Sequence, residues 1–104
     1  MKKMTELDKL EEYLKVNGYE YERIDEEGSA FAPMFNRHQI YVYKDGEVDW
    51  DVICHYGSYG YSAGLLEIYG NIVHGEDIVE GWLTADEIIE RLVYEKIKQS
   101  IKTY

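Results

Sequence analysis

Apolar positions along the chain repeat with two different periods, and the change from one to the other divides it into elements. From Leu7 the spacing is three and four (Leu7, Leu10, Tyr13, Leu14), which predicts a helix with one apolar face. Thr5 stands at its N-cap, Glu6 and Asp8 complement the dipole, and Asn17-Gly18 ends it, Gly18 suiting the left-handed position after a helix. Tyr19 to Ile24 then alternates tyrosine with glutamate, the period of a half-buried strand, until Asp25, Glu26, Glu27 and Gly28 break it. Ser29 to Asn36 holds Phe31, Met34 and Phe35 around the single proline, Pro33. It reads as an apolar loop tucked under the sheet edge, with an exposed patch as the lesser alternative.

Around Lys44-Asp45-Gly46 the pattern predicts a hairpin, and two registers compete. A two-residue Asp45-Gly46 turn pairs Val42 with Asp49 and Ile40 with Asp51, mixing apolar and charged groups on one face. A three-residue loop with a bulge at Gly46 pairs Val42 with Val48 and Ile40 with Trp50, and sets Tyr41 opposite Asp49 and Gln39 opposite Asp51 on the other face. A one-residue slip turns every side chain over, so segregation selects the three-residue loop. The inner face is then His38, Ile40, Val42, Val48, Trp50, Val52 and Cys54.

Tyr56 to Gly64 contains no charge and reads Tyr-Gly-Ser-Tyr-Gly-Tyr-Ser-Ala-Gly, a loop. Leu65 to Tyr69 reads as a strand, which Ile72-Val73 extends past a bend at Gly70, and Ile78 to Leu83 as the last strand after a turn at His74–Asp77. Thr84 with Glu87 forms a capping box, and Ile88, Ile89, Leu92, Val93, Ile97 and Ile101 make an apolar stripe on a helix to about residue 101. The order predicts an α+β fold over 1–104, a single domain. It has an N-terminal helix, a short, mainly antiparallel sheet of three to five strands, and a C-terminal helix packed on one sheet face. Leu10, Leu14, Ile89, Leu92 and Val93 are expected to meet Ile40, Val42, Trp50 and Val52.

Charge changes the picture first. Eleven basic residues against twenty-one acidic ones leave a net −10, which opposes direct binding to nucleic acid or to an anionic membrane. Such a surface either serves solubility alone or attracts a partner with a basic surface. The one cysteine, Cys54, excludes an internal disulfide and points to a reducing, cytoplasmic setting. Met1-Lys2-Lys3-Met4 has no apolar run behind it, so no secretory signal is expected. Eleven tyrosines against two Phe and two Trp suggest surfaces packed on one side and wet on the other.

Candidate chemistry is sparse. His38, His55 and His74 have no metal-ligand spacing, and strand parity sends His38 inward and His55 outward. Cys54 and His55 diverge for the same reason, and His38 is expected opposite Val52, so Cys54 reads as a buried, inert thiol. Asp49 and Asp51 lie two apart on one strand face and read as solvated acids. No catalytic, cofactor or metal residue is therefore predicted. The uncharged loop has the composition of protein-binding loops, where Tyr gives contact area and Gly and Ser adapt. Its Tyr56, Ser58, Tyr59 and Tyr61, with Tyr41, Asp49 and Asp51 of the outer sheet face, form the predicted partner-binding set. If that outer face is covered, a homodimer is expected.

The runs Cys54-His55-Tyr56-Gly57-Ser58-Tyr59-Gly60, Gly64-Leu65-Leu66-Glu67-Ile68, Val79-Glu80-Gly81-Trp82-Leu83-Thr84-Ala85 and Phe35-Asn36-Arg37-His38-Gln39 carry a resemblance. The chain resembles small proteins encoded by phages, prophages and other mobile elements of Gram-positive bacteria. That family has no established activity, so the resemblance implies an accessory or host-takeover role and no catalytic residue. The expected function is a non-enzymatic, acidic protein-interaction protein. The alternatives are an inhibitor that mimics nucleic acid, through acids such as those in Glu20–Glu27 and Glu76–Glu80, and a small enzyme using His38, Cys54 or His55.

Overall fold

The computed structural model describes residues 3–102; Met1 and Lys2, the start of the stretch read above for a signal, lie outside the described residues, as do Thr103 and Tyr104. The elements are α1 (Glu6–Val16), β1 (Glu20–Glu26), β2 (Arg37–Lys44), β3 (Glu47–Ile53), β4 (Leu66–Gly70), β5 (Val79–Leu83) and α2 (Ala85–Lys102), with short 3-10 turns at Pro33–Phe35 and Tyr61–Ala63. The strands form an antiparallel meander in the order β1-β2-β3-β4-β5. This is the expected α+β arrangement. No described helix is long and apolar enough to cross a membrane.

Both helices begin as their caps predict. Thr5 Oγ1 accepts from the Asp8 N–H at 3.0 Å while Asp8 Oδ2 accepts from the Thr5 N–H at 2.9 Å. Thr84 and Glu87 repeat the reciprocal pair at 3.2 and 3.0 Å. The two starts are also joined, because Glu6 Oε1 accepts from the Ala85 N–H at 2.9 Å. At the other end Lys96 lies 5.1 Å over the Tyr19 ring. The helices therefore run side by side in the same direction across one sheet face. Leu7, Leu10 and Leu14 of α1 and Ala85, Ile88 and Leu92 of α2 are buried there with Ile40, Val42, Trp50, Val52, Leu66 and Ile68.

The hairpin segregates its faces by a different route from the one predicted. The turn is the two-residue Asp45-Gly46, both left-handed (φ 54° and 82°), with Lys44 paired to Glu47 and Tyr43 to Val48. The register then shifts between Val42 and Tyr43, and beyond it Val42 faces Trp50, Ile40 faces Val52 and Gln39 faces Ile53. Asp49 is the extra residue of a bulge, which restores the segregation that a strict two-residue turn would lose. The predicted pairs Val42–Val48, Ile40–Trp50 and Gln39–Asp51 fall with the register, and three placements fall with them. Val48 leaves the core and is exposed. Tyr41 faces Asp51 rather than Asp49. His38 lies level with Cys54, whose N–H donates to the His38 carbonyl at 2.9 Å, and not with Val52.

Other departures are at the periphery. Residues 71–74 turn away after Gly70 instead of extending β4, although Ile72 is buried. Phe31, Met34 and Phe35 are exposed rather than tucked under the sheet. On α2 the stripe divides: Ile88 and Leu92 are buried and Ile89 packs on the core, but Val93, Ile97 and Ile101 face solvent, so Val93 does not meet the sheet. Arg91 of α2 pairs with Glu80 of β5, which ties the helix to the last strand.

Candidate interaction surface

Chain direction gathers three connections at one end of the sheet: the 27–36 segment after β1, the 54–65 segment after β3 and Thr84 after β5. Asn36 ties the first two together. Its Oδ1 accepts from the Tyr56 N–H at 2.8 Å and its Nδ2 donates to the Tyr61 hydroxyl at 2.9 Å. Inside the second segment Ser58 Oγ accepts from the His55 N–H and donates to the His55 carbonyl, at 3.1 and 2.7 Å. Gly60 is left-handed at φ 98°, and its carbonyl accepts from both Ala63 and Leu65. The uncharged loop is thus a fixed structure.

The same loop is pressed onto β5. The Trp82 N–H donates to the Tyr59 carbonyl at 3.3 Å, and the Tyr59 N–H donates to Glu67 Oε1 at 2.9 Å. A Cβ on Gly81 would stand 2.3 Å from the Tyr59 Cβ, so only glycine lets the loop lie this close. Trp82 takes φ 60°, a strained conformation for a large side chain, and the residue is 58% exposed. Tyr56 and Tyr59 are 60% and 59% exposed, and Tyr56 meets Tyr61 edge to face at 6.2 Å. Of the predicted loop residues, Tyr56 and Tyr59 therefore present their rings, while Ser58 and Tyr61 are partly buried and hold the loop's shape. Sequence reasoning missed Trp82. The signal available was Gly81, which interrupts the alternation of the last strand.

On the sheet face opposite the helices, Arg37, Gln39 and Asp51 form a chain of hydrogen bonds. Arg37 Nε donates to Gln39 Oε1 at 2.9 Å, Gln39 Nε2 donates to Asp51 Oδ2 at 2.7 Å, and Arg37 also donates to the Tyr41 hydroxyl at 2.9 Å. Asp51 is not the solvated acid expected. Burial pushes its carboxyl above the ordinary range, against the Gln39 hydrogen bond and with the help of nearby Glu67. Asp49 does not join it, because the bulge turns it to Asn71, whose Nδ2 donates at 2.7 Å, in the groove at the far end of the sheet. The predicted pair of acids on one face is thus dissolved. His55 keeps the outer side its parity predicts, near Glu67. Burial first, then Arg37 and His38, lower its pKa against the pull of Glu67, and its Nδ1 is buried without a hydrogen-bond partner.

A raised folded-state carboxyl pKa opposes folding once the pH exceeds the unfolded value, about 4, and the penalty grows until the folded value is passed. Below the unfolded value both states are protonated and the penalty is absent. Asp51→Asn keeps an acceptor for Gln39 and removes the charge. Urea unfolding should therefore give a higher midpoint than wild type at pH 7 and equal midpoints near pH 3. Equal or lower stability at pH 7 would contradict this account.

On the helix-covered side, a groove of about 1020 Å³ opens between the start of α1 and the ends of β1–β3. Asp25, His38 and Cys54 line it in one cross-strand row, an alignment that the predicted register had excluded. His38 Nδ1 lies 2.8 Å from Asp25 Oδ1 and Nε2 lies 3.3 Å from Glu27 Oε1. Both ring nitrogens are thus engaged toward β1, and no hydrogen bond joins the imidazole to the thiol. Burial pushes the half-buried Cys54 thiol above its ordinary pKa, the reverse of what an activated nucleophile requires. Arg23 is held by Asp8, Glu11 and Asp25, each at 2.9 Å, so the acids here are largely satisfied within the fold. Among the described residues, no group of three His, Cys, Asp or Glu side chains is placed to hold a metal ion.

Compared with known protein families, with curated proteins and with solved structures, the chain matches none.

Proposed function

We propose that this is a non-enzymatic interaction protein that grips a protein partner with the surface built on Tyr56, Tyr59 and Trp82. The observation that carries this reading is the union of a fixed backbone with exposed rings. The loop is latched by Asn36, Ser58 and Gly60, so its aromatics can be buried on binding without ordering the chain that bears them. The strain at Trp82 is stored where it serves to present an indole. Beside these rings the outer face carries Glu67 and Asp51, and the far edge strand β1 adds Glu20, Glu22 and Glu26, against Arg37, which favours a partner with a basic surface. An accessory protein that a mobile element turns on a host component would have use for such a clasp.

Affinity capture from a lysate of the source cells tests this, with Tyr59→Ala/Trp82→Ala as the variant and Asp77→Ala as a distant control. Wild type and control should retain the same protein, less of it at high salt. The double variant should retain it about thirty-fold more weakly or worse, the cost expected of losing aromatic hot spots. Equal retention by the double variant would refute the assignment.

Mimicry of nucleic acid is the second reading, and one column of side chains favours it. Glu20 and Glu22 stand on the exposed edge strand about 6.7 Å apart, with Glu26 further along the same face. Ile24 interrupts the column, which is why the reading ranks second. It requires capture to depend on these glutamates and to be competed by DNA, independently of Tyr59 and Trp82.

A further inference from the structure

Between Lys44 and Arg91 the sequence contains no lysine or arginine, although acids recur throughout that stretch. It supplies β3, β4, β5 and the Tyr56–Gly64 loop, so the exposed Tyr56, Tyr59 and Trp82 stand on a part of the chain with no basic side chain of its own. Elsewhere the fold lays its cations on aromatic rings, Lys96 over Tyr19 at 5.1 Å and the Arg37 guanidinium over Tyr41 at 6.0 Å. Among the described residues no cation lies over Tyr56, Tyr59 or Trp82. Arg37 is committed to Glu26, Gln39 and Tyr41, and Arg91 to Glu80. Burial keeps His55, near Glu67, in its neutral form at pH 7. Glu67 is the acid joined to the rings. It stands on β4 between the pairs Leu66–Leu83 and Ile68–Glu80, across the ladder from Gly81-Trp82. Its Oε1 accepts from the Tyr59 N–H at 2.9 Å, while its Oε2 makes no hydrogen bond among the described residues and is not buried.

We propose that this surface takes an arginine side chain of its partner, stacked on the exposed rings and donating to Glu67 Oε2, an inference that rests on the surface being the one that binds. A guanidinium is planar and weakly hydrated, so it can lie on a ring while its N–H groups reach a carboxylate at the ring's edge. A lysine ammonium is a compact, strongly hydrated point charge and satisfies the two demands less well together. An apolar side chain would cover the rings and leave the Glu67 carboxylate shut away without a counter-charge. An acidic one is repelled by a chain that carries −10. Because the Tyr59 N–H holds one oxygen of Glu67, the carboxylate is fixed beside the loop and need not be ordered on binding. The charge here is of one sign, and the ligand supplies the other.

Isothermal titration calorimetry of the full chain with capped tetra-arginine, tetra-lysine and tetra-citrulline peptides is the test, with the indole N–H signals of Trp82 and Trp50 followed by NMR to locate the contact. The arginine peptide should bind about tenfold more tightly than the lysine peptide and move the Trp82 signal while that of Trp50 stays. The citrulline peptide, which keeps the shape without the charge, should not bind. Glu67→Gln keeps an acceptor for the Tyr59 N–H, so the loop stays latched, yet it should weaken the arginine peptide about tenfold. Glu90→Gln, at an exposed position of α2, removes the same charge and should change little. Trp82→Leu should bring the arginine and lysine peptides to equal affinity, because it removes the ring and keeps an apolar side chain. Equal affinity of the two peptides for wild type overturns the proposal, and so does an arginine affinity indifferent to Glu67→Gln, since attraction to the net charge alone would give either. Neither result touches the partner-binding reading if capture from the lysate depends on Tyr59 and Trp82. Capture indifferent to those two residues sinks that reading, whichever peptide binds.

Discussion

Replacing Gly70 by alanine is expected to cost about 3 kcal/mol or more, the largest loss from any single added methyl group in this fold. Gly70 sits opposite Trp50 with φ 113°, outside the range side chains adopt readily. A Cβ there would stand 2.7 Å from the Asp49 carbonyl oxygen and 2.8 Å from the Trp50 Cα, both backbone atoms that cannot swing aside. The crowding follows from the bulge at Asp49, which lifts β3 toward β4 and lets the Asn71 N–H reach the Asp49 carbonyl at 3.0 Å. Urea unfolding followed by circular dichroism reads the effect as a lowered midpoint with an unchanged slope. A Gly70→Ala protein within about 1 kcal/mol of wild type would mean that the bulge is not needed to set the hairpin register.

Gly81→Ala should cost about 2–3 kcal/mol and damage the aromatic surface as well. Here the obstacle is the Tyr59 Cβ at 2.3 Å, with the Tyr59 carbonyl at 3.0 Å. Either the loop lifts from β5 or the strand moves, and in both cases the Trp82-to-Tyr59 hydrogen bond is lost. Amides from Tyr59 to Gly64 should then exchange with solvent faster than in wild type, while those of β2 and β3 stay protected. Combining Gly81→Ala with Tyr59→Gly removes the clashing atom, so the pair should be less destabilising than the sum of its parts. Strict additivity would show that Tyr59 is not what fills the space over Gly81.

These two glycines mark what the sequence left hidden. Elements set by short-range chemistry were legible: the Thr5 and Thr84 caps, the alternation of Tyr19–Ile24, the apolar periodicity of α1 and the meander's strands. The hairpin shows the limit. Segregation of Ile40 and Val42 with Trp50 and Val52 was correct, but the three-residue loop chosen to achieve it was not, because the turn is the two-residue Asp45-Gly46 that was set aside. The two conflict unless a residue is inserted, and nothing about Asp49 as a residue announces a bulge. Only Gly70, across the ladder, hinted that two backbones approach there. From that register came the misplacement of His38 relative to Cys54.

The C-terminal helix failed differently. Apolar residues at Ile88, Ile89, Leu92, Val93, Ile97 and Ile101 cover too wide an arc to name one buried side. Periodicity records that a face is apolar, not which neighbour covers it. Loop composition picked out the region that carries Tyr56 and Tyr59, but which rings face water depends on Asn36, twenty positions before Tyr56 and far from the local pattern. Exposure of Phe31 and Phe35 likewise depends on where the 27–36 segment lies, which no alternation encodes.

The unlike settings of the two tryptophans give the protein a pair of built-in fluorophores. Trp50, beneath the helices at 3% exposure, should emit toward the blue and escape aqueous iodide, reporting only on unfolding. Trp82, standing in solvent beside Tyr59, should emit toward the red and be quenched freely until a bound molecule shields it. One emission spectrum, split by a quencher, thus follows the integrity of the core and the occupancy of the aromatic surface separately, with no dye attached.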